Sequence, residues 1–415
     1  MTDTRRMFLG LLAGGGAGLA VARLAPTATE PVVAAVAPLG TLWLNALQMT
    51  VVPLVASLLV VGVAQAADIA ATGRIARRSL AWMLALSTGA ALLAAVLTPR
   101  LLALLPASAA LTAALDSAAA PVTGVAAATP ADRLTALVPA NVVAAAASGA
   151  IAPLVLFTLV FSLALATLEP ARRDPVVALA HTVADAMTRI VGWVLLIGPV
   201  GVGALILPVA ARAGAAALGA LVVYVLLLVG LYLTITALLY ALVGLGGREP
   251  VARFAAAILP AQAVAAGTQS SLASLPAMLA AARRLGYPAA TSGIVLPLAV
   301  SLFRITSPAQ YVAVAGFLAW VDGGELALDT VAVAVMMAVV ISLGSVGLPG
   351  QASFMGTVLP VVQACGLPVE PLGLLLAVDL VPDVFATVGN VTGDLVLTSQ
   401  VAQSERTPMM EAGLP

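Results

Sequence analysis

Gly267-Thr268-Gln269-Ser270-Ser271-Leu272-Ala273-Ser274-Leu275-Pro276 interrupts one apolar run, and Gly344-Ser345-Val346-Gly347-Leu348-Pro349-Gly350 interrupts another. Around them the chain is 62% hydrophobic and only 9% charged over 415 residues. Average soluble domains carry about a quarter charged residues. A soluble fold with this composition would expose too much apolar surface. The runs are long enough to cross a bilayer, which takes roughly 20 apolar residues per helix. The chain therefore reads as an all-α polytopic membrane protein. Irregular backbone at membrane depth is tolerated only where protein buries it or where it lines a cavity. A pair of interrupted segments of this kind points to the binding site of a secondary transporter.

Outward from these stretches, the apolar segments run over about 7–25, 39–66, 80–105, 138–168, 176–208, 215–245, 289–320 and 371–401, with the interrupted ones at 254–284 and 328–369. Residues 106–137, rich in Ala, Thr and Pro, read as an extramembrane loop. The last residues, 404–415, read as a short exposed tail. Thr4-Arg5-Arg6-Met7-Phe8-Leu9 has the look of an export signal, but we read it as cytosolic arginines ahead of a first span.

The arginines test the topology. Eight spans with a cytoplasmic N-terminus, and two hairpins that each enter and leave on one side, put Arg5, Arg6, Arg74, Arg77, Arg78, Arg172, Arg173, Arg248, Arg253, Arg283, Arg284 and Arg406 inside. Arg100, Arg133 and Arg212 fall outside, with Arg23 near the outer end of the first span. That is the positive-inside asymmetry, and it predicts two re-entrant hairpins from opposite sides, as inverted repeats produce. Both termini are then cytoplasmic.

Composition also excludes function classes. A net charge of zero gives no overall pull toward nucleic acid. The single Cys365 and the single His181 exclude a disulfide within the chain and Cys- or His-based metal sites. A serine hydrolase would need a base beside Ser270 or Ser271, and no Gly-x-Ser-x-Gly elbow is present. The chain is not expected to be an enzyme.

Polar residues inside the apolar segments carry the chemistry. Asp379, Asp383, Asn390 and Asp394 recur at spacings of four, seven and four, which places them on one helical face. Intramembrane carboxylates are functional by default. Ser270, Ser271 and Ser274 cluster at the first interruption, where hydroxyls and free amides can hold a polar substrate, or where each can bond back to its own helix. Gly344, Gly347 and Gly350 free carbonyls and amides at the second, or serve close helix packing. Arg304, near the centre of 289–320, needs an anion or a cavity, and both a structural ion pair and a functional role satisfy that.

These residues also carry a resemblance. Asn390-Val391-Thr392-Gly393-Asp394, the serine-rich stretch from Gln269 to Pro276, the Gly344–Gly350 stretch, Leu47-Gln48-Met49-Thr50-Val51-Val52-Pro53-Leu54, and Val138-Pro139-Ala140-Asn141 with Ser148-Gly149 resemble the motifs of the dicarboxylate/amino acid:cation symporter family, in its order and over nearly the whole chain. The resemblance implies eight transmembrane helices, two hairpins and a homotrimer in the bacterial inner membrane. Each subunit would pair a scaffold (1–79 and 138–214) with an elevator-type transport domain (80–105 and 215–415). It implies substrate contacts at Ser270, Ser271, Arg304, Ser307, Gly347, Leu348, Asp383, Ala386 and Asn390. Asp383 would hold an α-amino group and Asn390 an α-carboxylate. It implies sodium ligands at Ser301, Ser345, Asn390 and Asp394, with a looser match at Ser87 and Thr88.

The departures shape the expectation. Ala386 stands where the family has an arginine for an acidic side chain, so neutral amino acids are expected over acidic ones. Phe303-Arg304-Ile305-Thr306-Ser307 replaces the Asn-Met-Asp-Gly-Thr signature, and apolar Phe303 and Ile305 cannot coordinate a hard cation. Arg304 then either stands in for a sodium ion or binds an anionic substrate group. The expected activity is cation-coupled transport with reduced sodium dependence. The alternatives are an acidic amino acid or C4-dicarboxylate symporter using Arg304, and a transport-inactive sensor of the same fold.

Overall fold

The computed structural model describes residues 3–71, 73–104, 135, 138–213, 215–246, 249–344 and 350–411. Almost all of them are helical, and none is in a strand. The helices are α1 (Asp3–Leu24), α2 (Thr29–Gln48), α3 (Val51–Ala71), α4 (Arg74–Ala103), α5 (Val142–Ala147), α6 (Ile151–Ala166), α7 (Pro170–Leu196), α8 (Gly198–Ala213), α9 (Ala215–Leu245), α10 (Val251–Thr268), α11 (Ser271–Arg284), α12 (Ala289–Leu302), α13 (Thr306–Val321), α14 (Leu328–Gly344), α15 (Gly350–Ala364), α16 (Leu372–Val378) and α17 (Leu380–Glu411). Seven stretches among the described residues are long and apolar enough to cross a membrane, from Pro26–Ala71 to Leu380–Ala402. The expected loop lies almost wholly outside the described residues, as does the tip of the second interruption, 345–349.

Five segments expected as single spans are broken. The second divides at Met49 and Thr50, the fourth at 148–150, the fifth at Ile197, the seventh at 303–305 and the eighth at Asp379. A proline follows each break: Pro53, Pro153, Pro199, Pro308 and Pro382. Proline cannot donate to the carbonyl four residues back, and its ring crowds that carbonyl. Pro260, Pro276, Pro297 and Pro360 sit inside unbroken helices, so proline alone does not decide it. The break persists where freed backbone groups find other partners. The tail expected from 404 is also helical, since α17 runs to Glu411.

The packing falls into two groups. In the first, α1 lies along α8, α8 along α2, and α3 against α6 and α7. Gly10, Gly14 and Gly18 carry the α1 side of this group, four residues apart. A Cβ at Gly10 would strike Pro199, at Gly14 the backbone of Gly203, and at Gly18 the carbonyl of Leu207. Small residues at that spacing let two membrane helices touch backbone to backbone. At the helix ends, Arg212 grips Glu30 through two hydrogen bonds, 2.8 and 3.2 Å, and Arg173 reaches Asp68 at 2.8 Å. In the second group α4 packs on α13, and α9, α10 and α12 all pack on α17. α17 is therefore the hub of the polar region, and residues 391–399 are all buried.

Candidate functional site

The site forms where the α12–α13 break meets α17. Phe303 is extended at φ −121° and ψ 124°, which ends α12 and offers Arg304 and Ile305 sideways. α13 restarts at Thr306, and its first turn has backbone N–H groups with no helical partner. Asn390 supplies one. Its Oδ1 accepts from Thr306 N–H at 3.1 Å and from Thr306 Oγ1 at 2.9 Å. The side-chain oxygen is thus committed to fixing the break, and the Nδ2 amide is left to donate to a ligand.

Glycines bring the two elements together. A Cβ at Gly389 would stand 2.9 Å from Thr306 Cγ2, and one at Gly393 would stand 3.0 Å from Ile305 Cγ2 and 3.3 Å from the Phe303 ring. Phe303 and Ile305 therefore wall the α17 face beside Asp394. Asp394 is fully buried, and neither carboxylate oxygen has a hydrogen-bond partner among the described residues. A buried charge without compensation is among the most costly features a protein can hold. The compensation at hand is Arg304, half-buried in the break, whose charge acts on both Asp394 and Asp383.

Asp379 is treated differently. Its Oδ1 accepts from Tyr224 OH at 3.1 Å and from Gln310 Nε2 at 2.8 Å. Gln310 is one turn beyond Thr306, so α13 contacts both ends of the polar face. Asp379 itself sits in a one-residue interruption between α16 and α17.

The first interruption is a tight helical hairpin. Gln269 takes the left-handed conformation, φ 52° and ψ 35°, and ends α10. Ser270 caps α11, its hydroxyl accepting from Ala273 N–H at 3.2 Å. Gln269 Nε2 donates to Leu380 O at 3.1 Å and so ties the hairpin tip to the start of α17. Ser271 is partly exposed beside the tip. Ser274 is fully buried and spends its hydroxyl on Ser270 O at 2.9 Å, the local back-bond. α11, at 14 residues, is ~21 Å long, short of the ~30 Å hydrocarbon core.

Of the residues expected to bind, the structure brings Asp383, Ala386, Asn390, Asp394 and Arg304 into one region, with Ser270 and Ser271 at the hairpin tied to it. Ser307 is buried, its N–H donating to Arg304 O. Ser301 lies on an exposed face of α12 and donates to Pro297 O at 2.8 Å. Gly347, Leu348 and Ser345 lie outside the described residues. Sequence reading missed Thr306, Gln310, Tyr224 and Gln269. Pro308, two residues after Thr306, was the available signal for the first.

The sequence model of the sodium:dicarboxylate symporter family matches residues 4–404. The proton/glutamate-aspartate symporter of Escherichia coli K12 is 29% identical over 392 residues, covering 90% of this chain and 86% of its own. C4-dicarboxylate transport protein 2 of Ralstonia nicotianae is 28% identical over 415 residues, covering 97% and 90%. Neutral amino acid transporter B(0) of Oryctolagus cuniculus is 31% identical over 249 residues, covering 58% and 45%.

Proposed function

The chain belongs to the sodium:dicarboxylate symporter family, whose members are membrane transporters rather than enzymes and couple dicarboxylates or amino acids to cations, and from that premise we propose that it carries amino acids, neutral in preference to acidic. The observation behind this reading is the α17 face. Asp383 offers a carboxylate for an ammonium group, and Asn390 has an amide N–H free of the Thr306 contact for a carboxylate. Ala386, between them, is buried and brings no cation. An acidic side chain at that position would lose its bidentate partner.

Arg304 stands in for a coupling sodium in this reading. It acts on Asp394 from within the break, where Phe303 and Ile305 offer no oxygen side chains. Coupling then depends less on sodium. The packing groups support a scaffold of α1–α3 and α5–α8 beside an elevator-type transport unit of α4 and α9–α17. Eight spans, two re-entrant hairpins, a homotrimer and an inner-membrane location with cytoplasmic termini complete the reading.

A second reading has Arg304 binding an anionic substrate group, as in an acidic amino acid or C4-dicarboxylate carrier. The names of two relatives favour it. The deciding experiment is uptake into proteoliposomes of labelled alanine, serine, aspartate and succinate, with and without a sodium gradient. Sodium-independent uptake of alanine and serine is expected. Preference for aspartate or succinate would select the second reading, and strict sodium dependence would remove Arg304 as the stand-in. Failure to move any of them, with ligand-induced thermal shifts retained, would point to a sensor.

A further inference from the structure

Asp379 has no part in the site as read above, yet its surroundings are built. Fully buried Tyr224, from α9, and Gln310, from α13, both donate to its Oδ1, at 3.1 and 2.8 Å. Neither donor engages Oδ2. An independent observation lies two turns along α9. Tyr232 is 1% exposed, and its hydroxyl has no hydrogen-bond partner among the described residues. That hydroxyl is within electrostatic reach of Asp379, Asp383 and Tyr311. A buried hydroxyl left unpaired costs about 1–3 kcal/mol.

Charge balance says which ligand. Asp379, Asp383 and Asp394 contribute three negative charges when ionised. Arg304 acts on Asp383 and Asp394 and offsets one. A zwitterionic substrate, with its ammonium at Asp383 and its carboxylate at Asn390, adds no net charge, so two negative charges are left, and Asp379 is the carboxylate on which Arg304 does not act. Each charge moved through hydrocarbon costs several kcal/mol. We propose that Asp379 is the proton-binding site of this carrier: a proton from the side to which the substrate site is open adds to Oδ2, crosses with the substrate, and leaves on the other side. The proposal rests on the amino acid reading with Arg304 in place of sodium.

The geometry suits a proton. In the acid form Oδ1 is the carbonyl oxygen, and it goes on accepting from Tyr224 and Gln310, so no donor has to leave. A tyrosine hydroxyl both donates and accepts, and that of Tyr232 is committed to neither among the described residues. A sodium ion would meet an Oδ1 already aimed at by two donors. The titratable groups facing Asp379 are Asp383 from α17 and Tyr224 and Tyr232 from α9, with Tyr311 from α13 acting on Tyr232 and Arg304 acting on Asp383 and Asp394.

The test uses the full chain in proteoliposomes with labelled alanine. Exchange without a gradient and accumulation on a pH gradient, acid outside, are measured for the wild type and Asp379→Asn. One pH unit can drive about tenfold accumulation through one proton. The wild type is expected to reach that order. Asp379→Asn, which mimics the protonated acid, is expected to keep measurable exchange and lose the pH-driven accumulation. Accumulation retained by Asp379→Asn overturns the proposal. So does loss of exchange together with accumulation in a variant that still unfolds cooperatively at the wild-type temperature. If Asp379→Asn does not fold, Tyr232→Phe decides: a shifted pH profile of accumulation is expected, and an unchanged one overturns the proposal. A wild type that exchanges alanine but ignores the pH gradient overturns it while sparing the carrier reading. A wild type that exchanges no amino acid overturns both.

Discussion

Two seams in this molecule are built from glycines four residues apart, and they serve opposite ends. Along α1, Gly10, Gly14 and Gly18 let the helix settle on the backbone of α8 at Pro199, Gly203 and Leu207. Along α17, Gly389 and Gly393 let the helix approach the α12–α13 break at Thr306, Ile305 and Phe303. In the first seam the neighbouring backbone is helical and its hydrogen bonds are already made, so close approach yields packing alone. In the second the neighbouring backbone is unwound, so close approach lets Asn390 cap Thr306 and sets Arg304 to act on Asp394. The same small-residue spacing gives rigidity against a whole helix and chemistry against a broken one.

The comparison breaks most visibly at Arg304. Removing one partner of a buried charge pair costs about 3–5 kcal/mol, because the other charge is left uncompensated. Arg304→Met is therefore expected to cut alanine uptake by at least about a hundredfold and to lower the unfolding temperature. Adding Asp394→Asn to it is expected to restore part of the stability, with a coupling energy of about 1–3 kcal/mol in the double-mutant cycle. Additive losses would mean that Arg304 does not serve Asp394. The matching change in the other seam, where no charge lies, has no such partner to rescue it.

How much of this was legible in the sequence differs between the two seams. The α17 face was readable because Asp379, Asp383, Asn390 and Asp394 are polar, lie in an apolar run, and recur at helical spacing. The first hairpin was readable from its Ser-rich stretch, which interrupts an apolar run, although the left-handed turn at Gln269 was not. The breaks were not read, because an apolar run looks continuous and proline gives an ambiguous signal here: Pro308 follows a break and Pro297 does not. Thr306, Gln310 and Tyr224 were missed for another reason. Each owes its role to a partner 69 to 155 residues away, and nothing local announces such a pairing. The α1 seam was unread because glycines are common in membrane helices, and only the partner backbone gives their spacing meaning.

A smaller effect sharpens the chemistry of the α17 seam. Ala386→Arg restores a guanidinium on the face between Asp383 and Asn390. A bidentate carboxylate contact there should raise aspartate uptake relative to alanine by about tenfold, the equivalent of ~1.4 kcal/mol. An unchanged aspartate-to-alanine ratio in a folded variant would place the substrate side chain elsewhere. Thr306→Val comes next. It removes the hydroxyl that donates to Asn390 at 2.9 Å but keeps the backbone donor at 3.1 Å. The loss of one net hydrogen bond, about 1 kcal/mol, should raise the KM for alanine by about fivefold with little change in maximal rate. A fall in rate with KM unchanged would mean that Asn390 acts on the moving step and not on the substrate.

The smallest effect on transport should come from the dry seam, and that makes it the control for the rest. Gly14→Ala adds one methyl group where the backbone of Gly203 and Ile206 Cγ2 already stand. Helix backbone cannot yield locally, so α1 must shift along its contact with α8. Overpacking of this kind costs about 1–3 kcal/mol, and the variant should unfold at a lower temperature. Its KM for alanine should stay at the wild-type value, because α1 and α8 supply no residue to the α17 face. Gly16 offers the internal comparison, since a Cβ there meets nothing within 4 Å and Gly16→Ala should change neither quantity. A raised KM in Gly14→Ala would show that the two seams are mechanically coupled, so that a helix held against α8 helps set where α17 meets the break.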